Sequence, residues 1–225
     1  MNEENLTRRN FLAATGTVAL ATSLVHGAEE TSKSKALKIL GIACSPRKAM
    51  TTAKAVQTAL DAAASVDKRI QTELIDLGGL NIAGWSPKPP KDDFESILPK
   101  LQDPMVAGLI IGSPSYYRSL SSLCKAFIER CGPLREPKML LANKPVGVVA
   151  LGGMRNGGQE LVIQQIQTAM LSFGMFPVGG NAPAFQGGTI VSTKDEVSND
   201  EIGLSSARHT GARVAQLALK VAAKL

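Results

Sequence analysis

From residue 37 onward, short apolar runs alternate with longer segments in which apolar residues recur at helical spacing. The apolar runs predict strands over residues 37–43, 70–77, 106–112, 145–151 and 176–180. The segments between and after them predict helices over residues 51–65, 92–101, 120–131, 158–173 and 203–225. Continuous apolar strands separated by helices are typical of a parallel sheet that is covered by helices on both faces. Residues 37–225 are therefore expected to form one doubly wound α/β domain.

The N-terminal segment has a different pattern. The pair Arg8-Arg9 precedes residues 10–28, an uncharged stretch rich in Ala, Leu and Val. Such a short and weakly apolar stretch is typical of a signal peptide, because a membrane-spanning helix needs about 20 strongly apolar residues. The segment resembles a twin-arginine signal, which predicts a signal peptide over 1–28, a linker over 29–36 and export to the periplasm. An amphipathic helix with a chance arginine pair and an uncleaved membrane anchor are the alternatives.

Charge and cysteine content narrow the class of function. The chain has 25 Lys+Arg and 19 Asp+Glu, and the net charge of +6 is spread along the sequence. A nucleic-acid-binding protein is expected to cluster its basic residues and to interleave aromatic ones, which make up only 4% here. Two histidines, together with three cysteines that lack C-x-x-C spacing, disfavour zinc sites, iron–sulfur clusters and disulfide frameworks. No metal-ligating residues are predicted.

Three loops follow strands of the predicted sheet, and ligands of such sheets bind beyond the carboxyl ends of the strands. The first loop, residues 43–52, leads into a helix and contains Ser45, Arg47, Thr51 and Thr52. A helix N-terminus offers unpaired N–H groups to a phosphate, and an arginine can bind the phosphate through two hydrogen bonds. The chain contains neither a Walker loop nor a G-x-G-x-x-G motif. The alternative for this loop is an ordinary helix cap with a solvent-facing arginine.

The second and third loops suit a flat ligand. The second loop, residues 112–119, contains both tyrosines of the chain, Tyr116 and Tyr117, so one ring can pack inward while the other faces a ligand. The third loop, residues 152–160, contains four glycines, which let the backbone approach a ligand closely. A structural tyrosine pair and a flexible turn explain each loop taken alone. Three such loops at one sheet edge predict a shared binding site.

The motifs in these loops also carry a resemblance. They are S-P-R-K-x-x-x-T from Ser45, G-S-P-x-Y-Y…K-x-F-x-x-R from Gly112, and KPVGVVALGGMRNGGQE from Lys144. In combination they resemble the flavodoxin-like NADPH-dependent FMN reductase family, nearest to its iron-sulfur flavoprotein-like branch, over residues 37–223. The resemblance implies a five-stranded parallel sheet of order 2-1-3-4-5 with bound FMN. It also implies a homodimer or homotetramer that completes the flavin site across an interface.

The resemblance assigns site residues by position. It implies that the FMN phosphate is held by Ser45, Arg47, Thr51 and Thr52. It implies that the isoalloxazine is lined by Pro114, Ser115, Tyr116, Tyr117, Arg118 and Ser119, and that the third side is closed by Gly153, Arg155 and Gly158. The iron-sulfur branch carries clustered cysteines after the second strand, whereas residues 78–92 contain none, so no iron–sulfur cluster is expected. Trp85 in that segment either covers the flavin or a neighbouring subunit, or is a partly buried anchor.

Three cysteines and one histidine are also assigned expected roles. Cys44, beside a predicted helix N-terminus, is expected to be a buried bystander, the alternative being a reactive thiol of lowered pKa. Cys124 and Cys131 share one helix face and are expected in the core. His209 is expected to be a capping or surface residue rather than a catalytic one.

The redox chemistry is expected to belong to the flavin N5, with no catalytic side chain. The favoured interpretation is an FMN-dependent oxidoreductase that reduces a quinone, a flavin or a similar acceptor, with NAD(P)H as its donor. Export conflicts with that donor, because nicotinamide cofactors are scarce outside the cytoplasm. An exported non-enzymatic electron carrier and a flavin-free binding module are therefore the alternatives. Turnover with nicotinamide separates the first two, and a yellow colour separates both from the third.

Overall fold

The computed structural model describes residues 35–224, so the predicted signal peptide and most of the predicted linker lie outside the described residues. The strands are β1 Leu37–Ala43, β2 Ile70–Asp76, β3 Val106–Tyr116, β4 Ser119–Leu120, β5 Pro145–Gly152, β6 Phe176–Pro177 and β7 Gly188–Val191. The helices are α1 Thr51–Ala64, α2 Phe94–Leu101, α3 Ser122–Arg130, α4 Gln159–Leu171 and α5 Glu201–Ala222. Among residues 35–224, no helix combines the length and the apolar character needed to cross a membrane.

The sheet has the order β2-β1-β3-β5-β6, with parallel pairing along this path. The predicted flavodoxin-like order 2-1-3-4-5 is confirmed for these five positions. The predicted strand count is wrong, because the described chain contains seven strands. The additional ones are β4, which pairs with β3 in antiparallel orientation, and β7, which pairs with β5.

The edge strand is interrupted, which is why the prediction of one strand over 176–180 fails. β6 pairs only with Pro145 and Val146 at the start of β5, and β7 resumes the pairing from Val149 onward. Between them the Gly180 N–H donates to the carbonyl of Phe185 at 2.8 Å instead of extending the ladder. Consecutive glycines weaken a strand, and they allow this excursion to leave the sheet edge.

The core consists of two layers, one on each face of the sheet. Helices α2, α3 and α4 cover one face, where Phe94 and Phe127 pack against strand residues such as Ile42. Helices α1 and α5 cover the other face, where Val56 and Val214 belong to the cluster of buried side chains. Alternate residues of a strand pack into the two layers, since successive side chains of a strand point to opposite faces. This arrangement confirms the doubly wound α/β class.

Strand register brings the three predicted loops to one edge of the sheet. Ala43, the last residue of β1, lies opposite Gly112 of β3, and Gly112 lies opposite Val149 of β5. The chain segments that follow these positions therefore leave the sheet side by side. The prediction that the loops share the carboxyl edge of the strands is confirmed.

Candidate functional site

The first loop is shaped by hydrogen bonds from its own backbone. The Ser45 hydroxyl accepts from the Arg47 N–H at 3.2 Å, and the Asp76 carboxylate accepts from the Ala49 N–H at 2.6 Å. Asp76 also accepts from the Gly78 N–H at 3.0 Å. A side chain at Gly78 would overlap the backbone of Lys48, so this close approach requires glycine. Asp76 and Gly78 are thus functional supports of the loop that sequence reasoning missed, although an acidic residue at a strand end was a visible signal.

The start of α1 is suited to an anion. Met50 occupies the cap position without a capping side-chain hydrogen bond, and the first turn contains no acidic residue. Thr51 and Thr52 are buried in that turn, while the Arg47 side chain is half exposed beside it. An uncapped helix N-terminus carries unpaired N–H groups and a partial positive charge. This cradle, with Ser45 and Arg47, fits a phosphate group.

The second loop is a β-hairpin rather than the open loop that was predicted. β3 continues to Tyr116 and pairs back through Ser119 and Leu120. The two turn residues, Tyr117 and Arg118, have φ values of +51° and +63°. Left-handed backbone at both positions is the type I′ geometry that tightens a two-residue hairpin. Two adjacent left-handed residues with large side chains are strained, and such strain concentrates at functional sites.

The hairpin presents its aromatic side chains outward. Tyr117 is fully exposed and Tyr116 is partly exposed. Neither ring packs in the core, so the alternative of a purely structural tyrosine pair is wrong. Ser119 is anchored to α4, since its hydroxyl donates to the Gln165 side chain at 3.0 Å. Pro114 is half-buried at the base of the hairpin. The hairpin therefore exposes two aromatic side chains at the sheet edge.

The second and third loops are joined into one surface. The Ser115 hydroxyl donates to the Gly157 carbonyl at 2.7 Å, and the Arg118 guanidinium donates to the Asn156 carbonyl at 3.1 Å. Gly158 has a φ of +92°, and a Cβ atom there would lie 2.8 Å from the Arg118 Cα. Only glycine is compatible with both the backbone conformation and this approach. Ser115, Arg118 and Gly158, which were predicted for one site, are therefore neighbours.

Asp200 holds the third loop in place. Its carboxylate, 8% exposed, lies 2.6 Å from the Arg155 guanidinium and accepts from the Val191 and Gly203 N–H groups at 2.7 and 3.1 Å. Burial raises the pKa of Asp200, but the hydrogen bonds to Arg155 and to the two amides outweigh it, so the pKa lies below its ordinary value. Arg155 is thus ion-paired with Asp200 while its side chain stays exposed, and Gly153 in the same loop is exposed as well.

Two buried serines connect the first and second loops. The Ser121 hydroxyl donates to the Cys44 carbonyl at 2.6 Å and accepts from the Cys124 N–H at 3.0 Å, which caps α3. The Ser113 hydroxyl accepts from the Ser121 N–H at 3.0 Å. These serines fix the end of β1 to the start of α3. The sequence did not predict these two serines. The bond from Ser121 to Cys44 joins positions that are 77 residues apart, and the bond to Cys124 is a helix cap.

The cysteines belong to the core. Cys44 is fully buried, and burial together with the neighbouring Cys124 raises the pKa of its thiol well above the ordinary value. The alternative of a reactive Cys44 thiol with lowered pKa is therefore wrong. Cys124 and Cys131 are buried as predicted. His209 is exposed, with its Nδ1 2.8 Å from the Ser205 carbonyl, and lies on the helix surface as predicted.

The segment that aligns with the cysteine cluster of the iron-sulfur branch carries Trp85. The Trp85 side chain is 69% exposed, and the backbone N–H rather than the ring is anchored, through a 2.8 Å hydrogen bond to Glu129. An open groove of about 420 Å³ lies between this segment and α3. Within residues 35–224, no three His, Cys, Asp or Glu side chains are grouped so as to hold a metal ion.

Comparisons with known proteins agree with this arrangement. The family model described as NADPH-dependent FMN reductase matches residues 37–189. An iron-sulfur flavoprotein of Methanocaldococcus jannaschii is 40% identical over 192 residues, which cover 80% of this chain and 97% of that protein. A quinone oxidoreductase of Triphysaria versicolor is 28% identical over 155 residues, covering 61% of this chain and 72% of that protein.

Solved structures show the same fold. A flavodoxin, WrbA-like protein from Agrobacterium tumefaciens superposes with a TM-score of 0.58 at 18% identity. The superposition covers 83% of this chain and 99% of that one. Since the identity is low, this likeness concerns the architecture of the sheet and its helices.

Proposed function

Because the chain belongs to the NADPH-dependent FMN reductase family, we propose that it is an FMN-dependent oxidoreductase. In this proposal it takes electrons from NAD(P)H and passes them to a quinone, a flavin or a similar small acceptor. The observation that carries it is the meeting, at one sheet edge, of an uncapped α1 N-terminus beside Arg47 with a surface formed by the Tyr116–Tyr117 hairpin and Gly158.

The residues of the three loops have distinct roles in this proposal. The phosphate is held by the first loop through Ser45, Arg47, Thr51 and Thr52. The ring is lined by Pro114, Ser115, Tyr116, Tyr117, Arg118 and Ser119, with Gly153, Arg155 and Gly158 on the third side. When bound, FMN supplies hydride and single-electron chemistry at its N5. The protein would orient the ring, and backbone N–H groups of these loops would hydrogen-bond to it.

Three features of the relatives and the sequence support the finer parts of the proposal. The family name points to NADPH as the donor, and the Triphysaria relative is named for a quinone acceptor. We propose that this chain carries no iron–sulfur cluster, although its relatives are named for one, because residues 78–92 contain no cysteine. We also propose that the chain forms a homodimer or homotetramer, which completes the flavin site across an interface.

The donor is tested by anaerobic turnover. The full chain loaded with FMN is expected to oxidise NADPH continuously when benzoquinone is supplied, because the bound flavin is reoxidised in each cycle. The measurement is the loss of NADPH absorbance with and without FMN and with and without quinone. A protein that binds FMN but leaves NADPH unoxidised contradicts the reductase and favours the electron carrier, which draws its electrons from a protein partner.

We also propose export by the twin-arginine route to the periplasm, on the basis of Arg8 and Arg9 in the sequence. Nicotinamide cofactors are scarce there, so export would favour the electron carrier over turnover with NAD(P)H in the cell. Replacing both arginines by lysine is expected to leave the precursor in the cytoplasm, because the route reads the arginine pair and not its charge. Cell fractionation followed by immunoblotting measures this. Replacing Lys33 and Lys35 by arginine is the matched control, and normal export of the variant lacking both arginines would overturn the proposal.

A further inference from the structure

An acidic turn lies against the first loop. Residues 193–196 join β7 to the start of α5, and the turn is closed by two 3.0 Å hydrogen bonds between the backbones of Thr193 and Glu196. Lys194 and Asp195 at its tip have φ values of +50° and +60°. The adjacent Val197 is buried and fixes the turn to the core on the α1 side of the sheet. The turn is therefore a defined element, which directs the Asp195 carboxylate at the first loop and the Glu196 carboxylate at the first turn of α1.

One carboxylate binds a cation of the proposed phosphate site, and the other binds a cation of the adjoining helix turn. The Asp195 Oδ1 lies 2.6 Å from the Arg47 Nη1, and the Glu196 carboxylate lies 3.1 Å from the Lys54 Nζ. Arg47 precedes the uncapped end of α1, and Lys54 lies in the first turn of that helix. Asp195 is also the largest cause that raises the pKa of the Arg47 guanidinium, and Tyr116 is a smaller one. The turn thus pairs with two of the cations near the helix N-terminus.

These ion pairs are of a kind that a phosphate can replace. All four side chains are about half exposed, and ion pairs at such positions contribute little to stability because water screens them and long side chains lose freedom. A phosphate monoester carries more charge and can take two hydrogen bonds from one guanidinium. The stronger anion is therefore able to displace Asp195 from Arg47.

We propose that Asp195 occupies Arg47 in place of the cofactor phosphate and competes with it, so that the acidic turn determines which anions the site retains. This inference rests on the proposed FMN site. An internal carboxylate is present at a high effective concentration, so it raises the threshold that an incoming anion must overcome. FMN is able to displace Asp195 because the binding of its ring adds to the binding of its phosphate. Inorganic phosphate and small phosphorylated compounds lack that contribution.

The test compares Asp195→Asn with wild type in the full chain freed of flavin. Asparagine keeps the shape of the side chain and tolerates the left-handed backbone of the turn. FMN affinity is expected to rise about three- to fivefold, the scale of an exposed ion pair, while riboflavin affinity stays within about twofold. Inorganic phosphate is expected to raise the melting temperature of the variant at a several-fold lower concentration than in wild type. Glu201→Gln, which removes one charge from the ion pair with Arg208, is the matched control and is expected to change none of these.

The outcomes separate this inference from the proposed function. Weaker FMN binding in Asp195→Asn means that Asp195 orients Arg47 rather than competing for it, and overturns the inference. Unchanged FMN affinity, or an equal change for riboflavin, overturns it as well. If wild type binds no FMN, the proposed function fails, and the phosphate-induced shift in melting temperature still decides whether Asp195 competes with an anion for Arg47.

Discussion

Replacing Arg47 by alanine is expected to weaken FMN binding by about 1.5–3 kcal/mol, or roughly ten- to a hundredfold, the scale of a hydrogen bond to a charged group. Arg47 lies beside the N-terminus of α1, and its half-exposed guanidinium is the side chain of the first loop best placed to neutralise a phosphate. Riboflavin lacks the phosphate, so its affinity is expected to stay within about twofold. Quenching of flavin fluorescence during titration measures both.

The control for this variant is Arg208→Ala, which removes the same charge from α5, where Arg208 pairs with Glu201. FMN affinity that is unchanged in Arg47→Ala removes Arg47 from the phosphate site. The same background also tests the acidic turn, since Asp195→Asn is expected to have no further effect on FMN affinity once Arg47 is absent. Non-additivity of this kind is the signature of two groups that interact directly.

Replacing Gly211 by alanine is expected to lower the free energy of unfolding by about 3 kcal/mol, because the added methyl group overpacks a helix contact. Gly211 lies in α5, and a Cβ atom there would overlap the Ala59 carbonyl of α1. A backbone atom cannot rotate away as a side chain can, so the two helices must separate. Since α1 also carries the first loop, this contact supports the candidate site as well as the core. Urea denaturation followed by circular dichroism measures the change.

Gly132→Ala is the matched control for this prediction. A Cβ atom at Gly132 meets no heavy atom within 4 Å, so the same chemical change is expected to leave stability within about 0.5 kcal/mol. A urea midpoint of Gly211→Ala equal to that of wild type would contradict the close contact between α1 and α5 at this position.

The interior strands could be predicted from the sequence because burial on both faces makes them continuous apolar runs. β1, β3 and β5 begin where the pattern of apolar residues places them. The edge formed by β6 and β7 follows no such rule, since it is interrupted between Pro177 and Gly188. The hairpin after β3 escaped prediction because its turn, Tyr117-Arg118, lacks the Asn-Gly sequence that usually marks this geometry.

The candidate site could be predicted in part for a similar reason. The residues proposed to contact the ligand near a strand end, such as Arg47 and Tyr116, lie in short motifs that the sequence displays. The groups that hold them come from elsewhere in the chain, as Asp195 does from 148 residues beyond Arg47. Asp200 likewise reaches Arg155 from the start of α5. Such pairs are set by tertiary packing, and no local pattern in the sequence records them.

The central claim, that this chain binds FMN at the edge where the three loops meet, is tested most directly by titrating the flavin-free full chain with FMN. The account predicts saturation at one FMN per chain, with flavin absorption bands at about 375 and 450 nm. It also predicts that Arg47→Ala shifts the titration to higher FMN concentration. A colourless protein that shows no saturable uptake of FMN would contradict the account and leave only the fold in place.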